Sequence, residues 1–332
     1  MIIDTILRMT QEKLFNTLRR KHAKKAIVEE DYFILVPGDA PVLLVSHLDT
    51  VHNKPVKTIC RSDNGNILMS PEGIGGDDRC GVFALEKVYQ LSKIKPWLLY
   101  TCDEEIGGHG AEMFSEMYKE NFLPEDISRK ISELKLIVEI DRKGHNDAVY
   151  YDCDCPELEK YISSKGYKTQ YGTFSDISII APSLNIAAVN LSSGYHDAHT
   201  RHEYINLQQL EKTIKKVLEI VQESVADTFP VYVYKQKKHT WSYANFNRKS
   251  ASKPWNIYPY SQSMFTDITS ETIPKDLPDV YKDMYQSLLE IYTKSEMENL
   301  RNKYGNDVIA QLYEEEFGGG YYSAPYPELI NF

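Results

Sequence analysis

The chain has no apolar run of the 18 or more residues that a membrane-spanning helix requires. Its opening stretch, MIIDTILRMTQEKLFNTLRRKH, interrupts leucine and isoleucine with charges at helical spacing. It therefore lacks the unbroken apolar core and small-residue cleavage site of a secretory signal. Cysteine is scarce, with five residues (Cys60, Cys80, Cys102, Cys153 and Cys155) that are odd in number and scattered. That pattern excludes a disulfide framework and reads as reduced thiols. Cys153 and Cys155 have neither the two-residue spacer nor the second half of a zinc-binding cysteine pair. Positive charge is also in deficit: 38 basic residues against 48 acidic ones give a net charge of −10. A general nucleic-acid binder would present a basic surface, so nucleic acid is not expected as a partner. These shortages together predict a cytoplasmic protein with no membrane partner.

What is present is an alternation of strand-like and helix-like segments over the first two-thirds of the 332 residues. An amphipathic helix is expected at about 4–22, then extended segments at 26–36 and in PVLLVSHLDTV. CGVFALEKVYQLSK reads as a helix and PWLLYTCDEE as a buried strand. A glycine-led helix near 108–119 follows, then the strand LKLIVEID, an extended piece at DAVYYD and a helix near 156–165. The strand IAAVNLSSG and a last helix at 206–225 complete the series. Such alternation predicts an α/β fold, a mostly parallel or mixed central sheet with helices on both faces. After about residue 226 the character changes, and 13 of the 24 tyrosines lie in 226–332. The segment 228–266 contains no acid, and its lysines and arginines lie among aromatics. The expected organisation is a catalytic domain at 1–225 and a tyrosine-rich C-terminal extension, mixed or helical, at 226–332. A helical pair is expected at about 276–315. The extension reads as a surface-hugging addition, with contact to nucleic acid or an acidic partner through its basic aromatic segment 231–256, a pocket cover, or self-association into a homo-oligomer as other roles.

Three of the apolar strands share one feature. VLLVSHLD, WLLYTCDEE and LIVEID each run into histidine or acids at the C-terminal end. In open α/β sheets ligands bind at that edge, so the three endings place their polar groups together. His47, two residues before Asp49, suits a metal ligand with an orienting carboxylate, although alone it would more often be a turn histidine. SPEGIGGDDRCG at 70–81 puts Asp77 and Asp78 after two glycines at a helix start, where capping accounts for one aspartate better than for two. In DEEIGGHG at 103–110, Glu104 and Glu105 close a buried strand and repel each other unless a cation is near or one is protonated. Asp141 ends its strand, with Glu139 and Asp147 as competing acids. SGYHDAHTRHEYI at 193–205 holds His196, His199 and His202 within seven residues.

HLDTV, GGDDRCG, DEEIGG, EIDRKG and HTRHE, in that order, resemble the five metal-site motifs of the co-catalytic dizinc exopeptidases. That superfamily contains zinc aminopeptidases, peptidase T and related carboxypeptidases and amidohydrolases. The resemblance covers roughly residues 40–225. It implies two divalent metal ions, zinc in the first instance, with cobalt or manganese as alternatives. His47 and Asp141 would serve one ion, Glu105 and His199 the other, and Asp77 both. The Asp77–Asp78 peptide would be cis, Asp49 would orient His47, and Glu104 would be the general base. His196 competes with His199 for the last position. GTFSD at 172–176 is similar to a segment near the superfamily's substrate pocket, which makes Thr173 and Asp176 substrate-binding candidates along with Tyr195 and Arg201.

Only 57 residues separate Asp141 from His199, too few for the inserted lid or dimerisation domain of the two-domain carboxypeptidases and deacylases. The resemblance therefore implies hydrolysis of an amide bond by metal-activated water, as an aminopeptidase on small peptides. The alternatives are an amidohydrolase or deacylase of N-acyl amino acids or another small amide, and a non-catalytic binding protein on the same fold.

Overall fold

A computed structural model describes residues 2–52 and 54–234, together with scattered positions between 274 and 309. The chain divides into two compact units, Met1–His239 and Thr240–Phe332. In the second, the described positions between 281 and 302 are helical, within the span expected for a helical pair. The basic aromatic segment from 235 to 266 and the C-terminal tail lie outside the described residues. Among the described residues no helix is long and apolar enough to cross a membrane.

The first unit opens with α1 (Ile3–Leu7) and α2 (Gln11–Lys21) in place of the single helix expected over 4–22. The break falls where the Thr10 side chain accepts from the Lys13 amide, a helix start inside the amphipathic pattern. A short hairpin, β1 (Ile27–Glu29) and β2 (Phe33–Val36), leads to β3 (Val42–His47). Then come β4 (Cys60–Arg61), β5 (Ile67–Met69), α3 (Gly76–Leu91), β6 (Trp97–Thr101), α4 (His109–Lys119) and α5 (Glu125–Ile131). After them run β7 (Leu136–Arg142), β8 (Asp147–Val149), α6 (Pro156–Ser164), β9 (Lys168–Thr169) and α7 (Ile177–Leu184). The unit ends with β10 (Ala188–Ser192), β11 (Tyr195–His196), β12 (Tyr204–Asn206) and α8 (Leu207–Ser224).

Eight strands form one mixed sheet in the order β1-β2-β6-β3-β7-β10-β8-β9. Its middle, β6-β3-β7-β10, is parallel, and the flanking β2 and β8 run antiparallel to it. The central strands are buried on both faces, which explains why they read as continuous apolar runs and not as alternation. Val42 and Leu44 point into a core shared with α1, α2, α3, α6 and α8. Leu43 and Val45 point into the opposite core, filled by α4, α5 and α7. Register puts the ends of β6, β3 and β7 side by side, so the three polar strand endings meet on one edge.

A second, four-stranded antiparallel sheet, β11-β12-β5-β4, packs beside that edge. The pairing of β12 with β5 draws the histidine-rich turn at 197–203 towards the loop that precedes α3. The first unit continues past the boundary expected at 225. Phe229 and Tyr232 are buried against Tyr161, and Val233 bridges Ile186.

Candidate metal centre

His47 is the last residue of β3 and is fully buried. Its Nδ1 lies 3.1 Å from Asp49 Oδ1. Asp49 in turn accepts the amide of Glu104 at 3.2 Å and of Glu105 at 3.0 Å. One carboxylate therefore fixes the imidazole and ties it to the strand end that carries the two glutamates. Nδ1 is turned to Asp49 and Nε2 to the cleft and Asp77, the orientation that metal-ligating histidines use.

Asp77 sits where α3 begins, with backbone angles outside the helical range and a cis peptide to Asp78. Gly75 precedes it at φ +62, a left-handed conformation glycine tolerates best. Asp77 turns one carboxylate oxygen to each side. Oδ1 is 3.2 Å from His47 Nε2, and Oδ2 is 3.2 Å from His199 Nε2. Asp141 Oδ1 stands 3.5 Å from His47 Nε2, and Glu105 Oε2 stands 3.1 Å from His199 Nε2. Among the described residues the candidate ligand atoms include two groups that share Asp77, His47–Asp77–Asp141 and Asp77–Glu105–His199, and a further one, His47–Glu104–Glu105.

These separations fit a cation between the atoms. Ligands about 2.0–2.1 Å from a tetrahedral zinc ion are about 3.3 Å from one another. The nitrogen and oxygen donors are those that zinc and other transition metals take. The electrostatics agree. Burial and the neighbouring Asp77 push the Asp141 carboxyl up to about 8, against the pull of His47. Burial, then Asp77, raises Glu105, and its Oε1 is buried without a hydrogen-bond partner. Asp77 is instead held well below the usual carboxylate range, because hydrogen bonds from His199 and His47 outweigh its burial. Four carboxylates so close together oppose one another, and divalent cations would relieve that opposition.

Glu104 lies beside this set and within reach of His47 and Glu105. Burial raises its pKa well above the ordinary value, and Asp141, Asp176 and Glu105 add to the rise against His47.

The residues that the sequence left as alternatives have different surroundings. His196 stacks on Tyr204 at 4.7 Å and its Nε2 is 2.6 Å from Gln209 Oε1, whereas His199 faces Asp77 and Glu105. Glu139 is fully buried one residue pair below Asp141, bonded to Ser175, and Asp147 belongs to neither group. Tyr195 is buried, and its hydroxyl donates to the Asp141 carbonyl at 2.9 Å. Asp176 is also buried, accepting from Thr101, while Thr173 and Arg201 are exposed.

One residue escaped the sequence reading. Glu203 is fully buried and accepts from the amides of Gly75 and Asp77, both at 3.0 Å, and lies 2.9 Å from His52 Nε2. It clamps the turn that presents Asp77. The only local signal was its place after His202 in the HTRHE motif, which says nothing of a partner 126 residues away.

No family model matches the sequence, and no curated protein does either. Solved structures do. Aminopeptidase PepT from Bacillus cereus superposes with a TM-score of 0.50 at 13% identity, over 68% of this chain and 97% of that one. A tripeptidase from Staphylococcus aureus superposes with a TM-score of 0.51 at 15% identity, over 67% of this chain and 96% of that one. At such identities the match establishes the fold. This chain has the fold of those two peptidases, in agreement with the motif resemblance.

Proposed function

We propose that this protein is a two-metal hydrolase that cleaves an amide bond in small peptides, acting as an aminopeptidase. The observation that carries the reading is Asp77, whose two oxygens lie at equal distance from two histidines on opposite sides. His47, Asp77 and Asp141 would hold one ion, and Asp77, Glu105 and His199 the other, with zinc as the leading candidate. The ions would supply Lewis acidity, polarising the scissile carbonyl and lowering the pKa of water. Glu104 would take the proton from the attacking water and return it to the leaving amine. Asp49 keeps the His47 tautomer and ring orientation fixed. Supporting the peptidase reading are the shared fold and the chain between β7 and β11, which holds only β8, α6, β9, α7 and β10.

Metal content and a substrate panel test this together. Expected are close to two ions per chain and turnover of aminoacyl-nitroanilides in preference to N-acyl amino acids. The reverse preference would favour the amidohydrolase reading. Glu104→Gln should lower kcat by about 10²–10⁴-fold with metal content unchanged. Intact hydrolysis in that variant, or metal well below one ion per chain, would overturn the mechanism.

A further inference from the structure

A cavity of about 280 Å3 lies behind Asp49, between the α1–α2 turn, the loop that follows β3 and the start of α3. Leu7, Met9, Pro55, Val56 and Ile74 supply apolar wall. Two polar side chains on the same wall have atoms with no hydrogen-bond partner: Thr50 Oγ1 and Arg79 Nη1, both buried. Arg79 is 2% exposed; Asp49 and Asp78 offset part of its charge, but its Nη1 has no hydrogen-bond partner. Lys54 adds a second cation to the lining. The acid that borders the cavity, Asp49, already serves His47, Glu104 and Glu105.

A buried guanidinium nitrogen without a hydrogen-bond partner is costly, and chains seldom keep one unless something meets it. The guanidinium is planar, cannot lose its proton at ordinary pH, and matches the two oxygens of a carboxylate. A threonine hydroxyl adds a further donor. An anion with hydrogen-bonding oxygens satisfies both unpartnered groups, and the apolar wall asks for a hydrocarbon attached to it. At about 30 Å3 per water the cavity holds roughly nine water volumes, room for a small organic acid.

We propose that this cavity binds a small carboxylate bearing a branched apolar chain, with Arg79 and Thr50 on the carboxylate and Val56 and Ile74 against the hydrocarbon. It is a second site, separate from the metal ligands but joined to them through Asp49 on its wall and through Arg79, two residues from Asp77. Two sources share this chemistry: a free amino acid such as leucine, and the C-terminal residue of a peptide. The inference stands apart from the hydrolase reading, since it rests on the cavity and its unpartnered donors.

Calorimetric titration of the metal-loaded full chain tests it, with a saturating hydroxamate present to keep carboxylates off the metals. The probes are 4-methylpentanoate, its neutral amide, free leucine and acetyl-glycyl-leucine. The carboxylate should bind at least about tenfold more tightly than the amide, the ratio expected for a charge-assisted contact. Arg79→Met and Val56→Phe should each weaken it by about tenfold or more, the first by removing the cation and the second by filling the space. Glu104→Gln should leave it unchanged. Tighter binding of leucine than of acetyl-glycyl-leucine identifies the free amino acid as the source, and the opposite order identifies the peptide terminus. Equal binding of carboxylate and amide, no binding at all, or unaltered affinity in Val56→Phe would each overturn the proposal. Should Arg79→Met fail to fold, Val56→Phe and the amide comparison still decide. A protein that binds the carboxylate but hydrolyses nothing would sink the proposed activity and leave this site standing.

Discussion

At the scale of single residues the centre divides into groups that face the cleft and groups that hold them there. Asp49, Tyr195 and Glu203 belong to the second kind, each spending its polar atoms on a candidate ligand or on backbone beside one. Glu203 is the most exacting of them, because it answers two buried amides and an imidazole at once. Its replacement by alanine leaves those donors without acceptors inside the protein. A buried donor stripped of its partner costs about 1–3 kcal/mol. Glu203→Ala should therefore lower the unfolding free energy by several such increments, and weaken metal binding as the Asp77 turn loosens. Urea denaturation and a metal titration would measure both. A variant as stable and as metal-tight as the parent would show that the clamp is dispensable. The residue scale is also where the sequence was least complete. His199 could be preferred over His196 only by motif resemblance, since both sit in the same short turn. What distinguishes them is the stacking of His196 on Tyr204, a contact across a two-stranded pairing that no local pattern announces.

At the scale of elements the legible part was the sheet. β3, β6 and β7 read clearly because strands buried on both faces are unbroken apolar runs, and their polar endings marked the edge where function collects. Other helices were harder to read. α5 is seven residues long, and α7 carries a proline within ISIIAPSL, so neither offers a helical period to read. The junction of α3 with β7 is the tightest in the centre. A Cβ on Gly81 would come within 2.2 Å of the Ile140 carbonyl oxygen and 2.3 Å of Asp78 Oδ2. Neither atom can retreat, because one is sheet backbone and the other accepts from Ser46 Oγ at 2.6 Å. Gly81→Ala should cost about 1–3 kcal/mol by overpacking and should displace the Asp-Asp turn. A fall in Tm together with loss of bound metal is the expected result. An unchanged Tm would mean that helix and strand stand further apart than described.

At the scale of the whole molecule the question is where the first unit stops. Composition places a change of character near 226, but packing carries the first unit further. Phe229 and Tyr232 lie against Tyr161 and each other with ring centroids 5.5–5.8 Å apart. The Tyr232 carbonyl accepts the Ala187 amide, at the entrance to β10. Composition cannot register such a return, because two aromatics in a tyrosine-rich tail look like the rest of it. Truncation after His239 should keep the fold and any hydrolytic activity. Truncation after Val225 should lose at least about 3–5 kcal/mol with the two buried rings. Thermal melts of the two truncated forms against the full chain decide between the boundaries. Equal melting for both would return the limit to 225.

The two histidines of the centre differ in their surroundings as well as in their partners. His47 is sealed at the end of a strand, whereas the His199 side chain is 37% exposed on a turn, at φ +63. The pair of ions would therefore not come and go together. The one on the turn side should exchange with solvent first. A chelator would then strip the protein in two kinetic phases, and the half-emptied species between them would accumulate long enough to be caught.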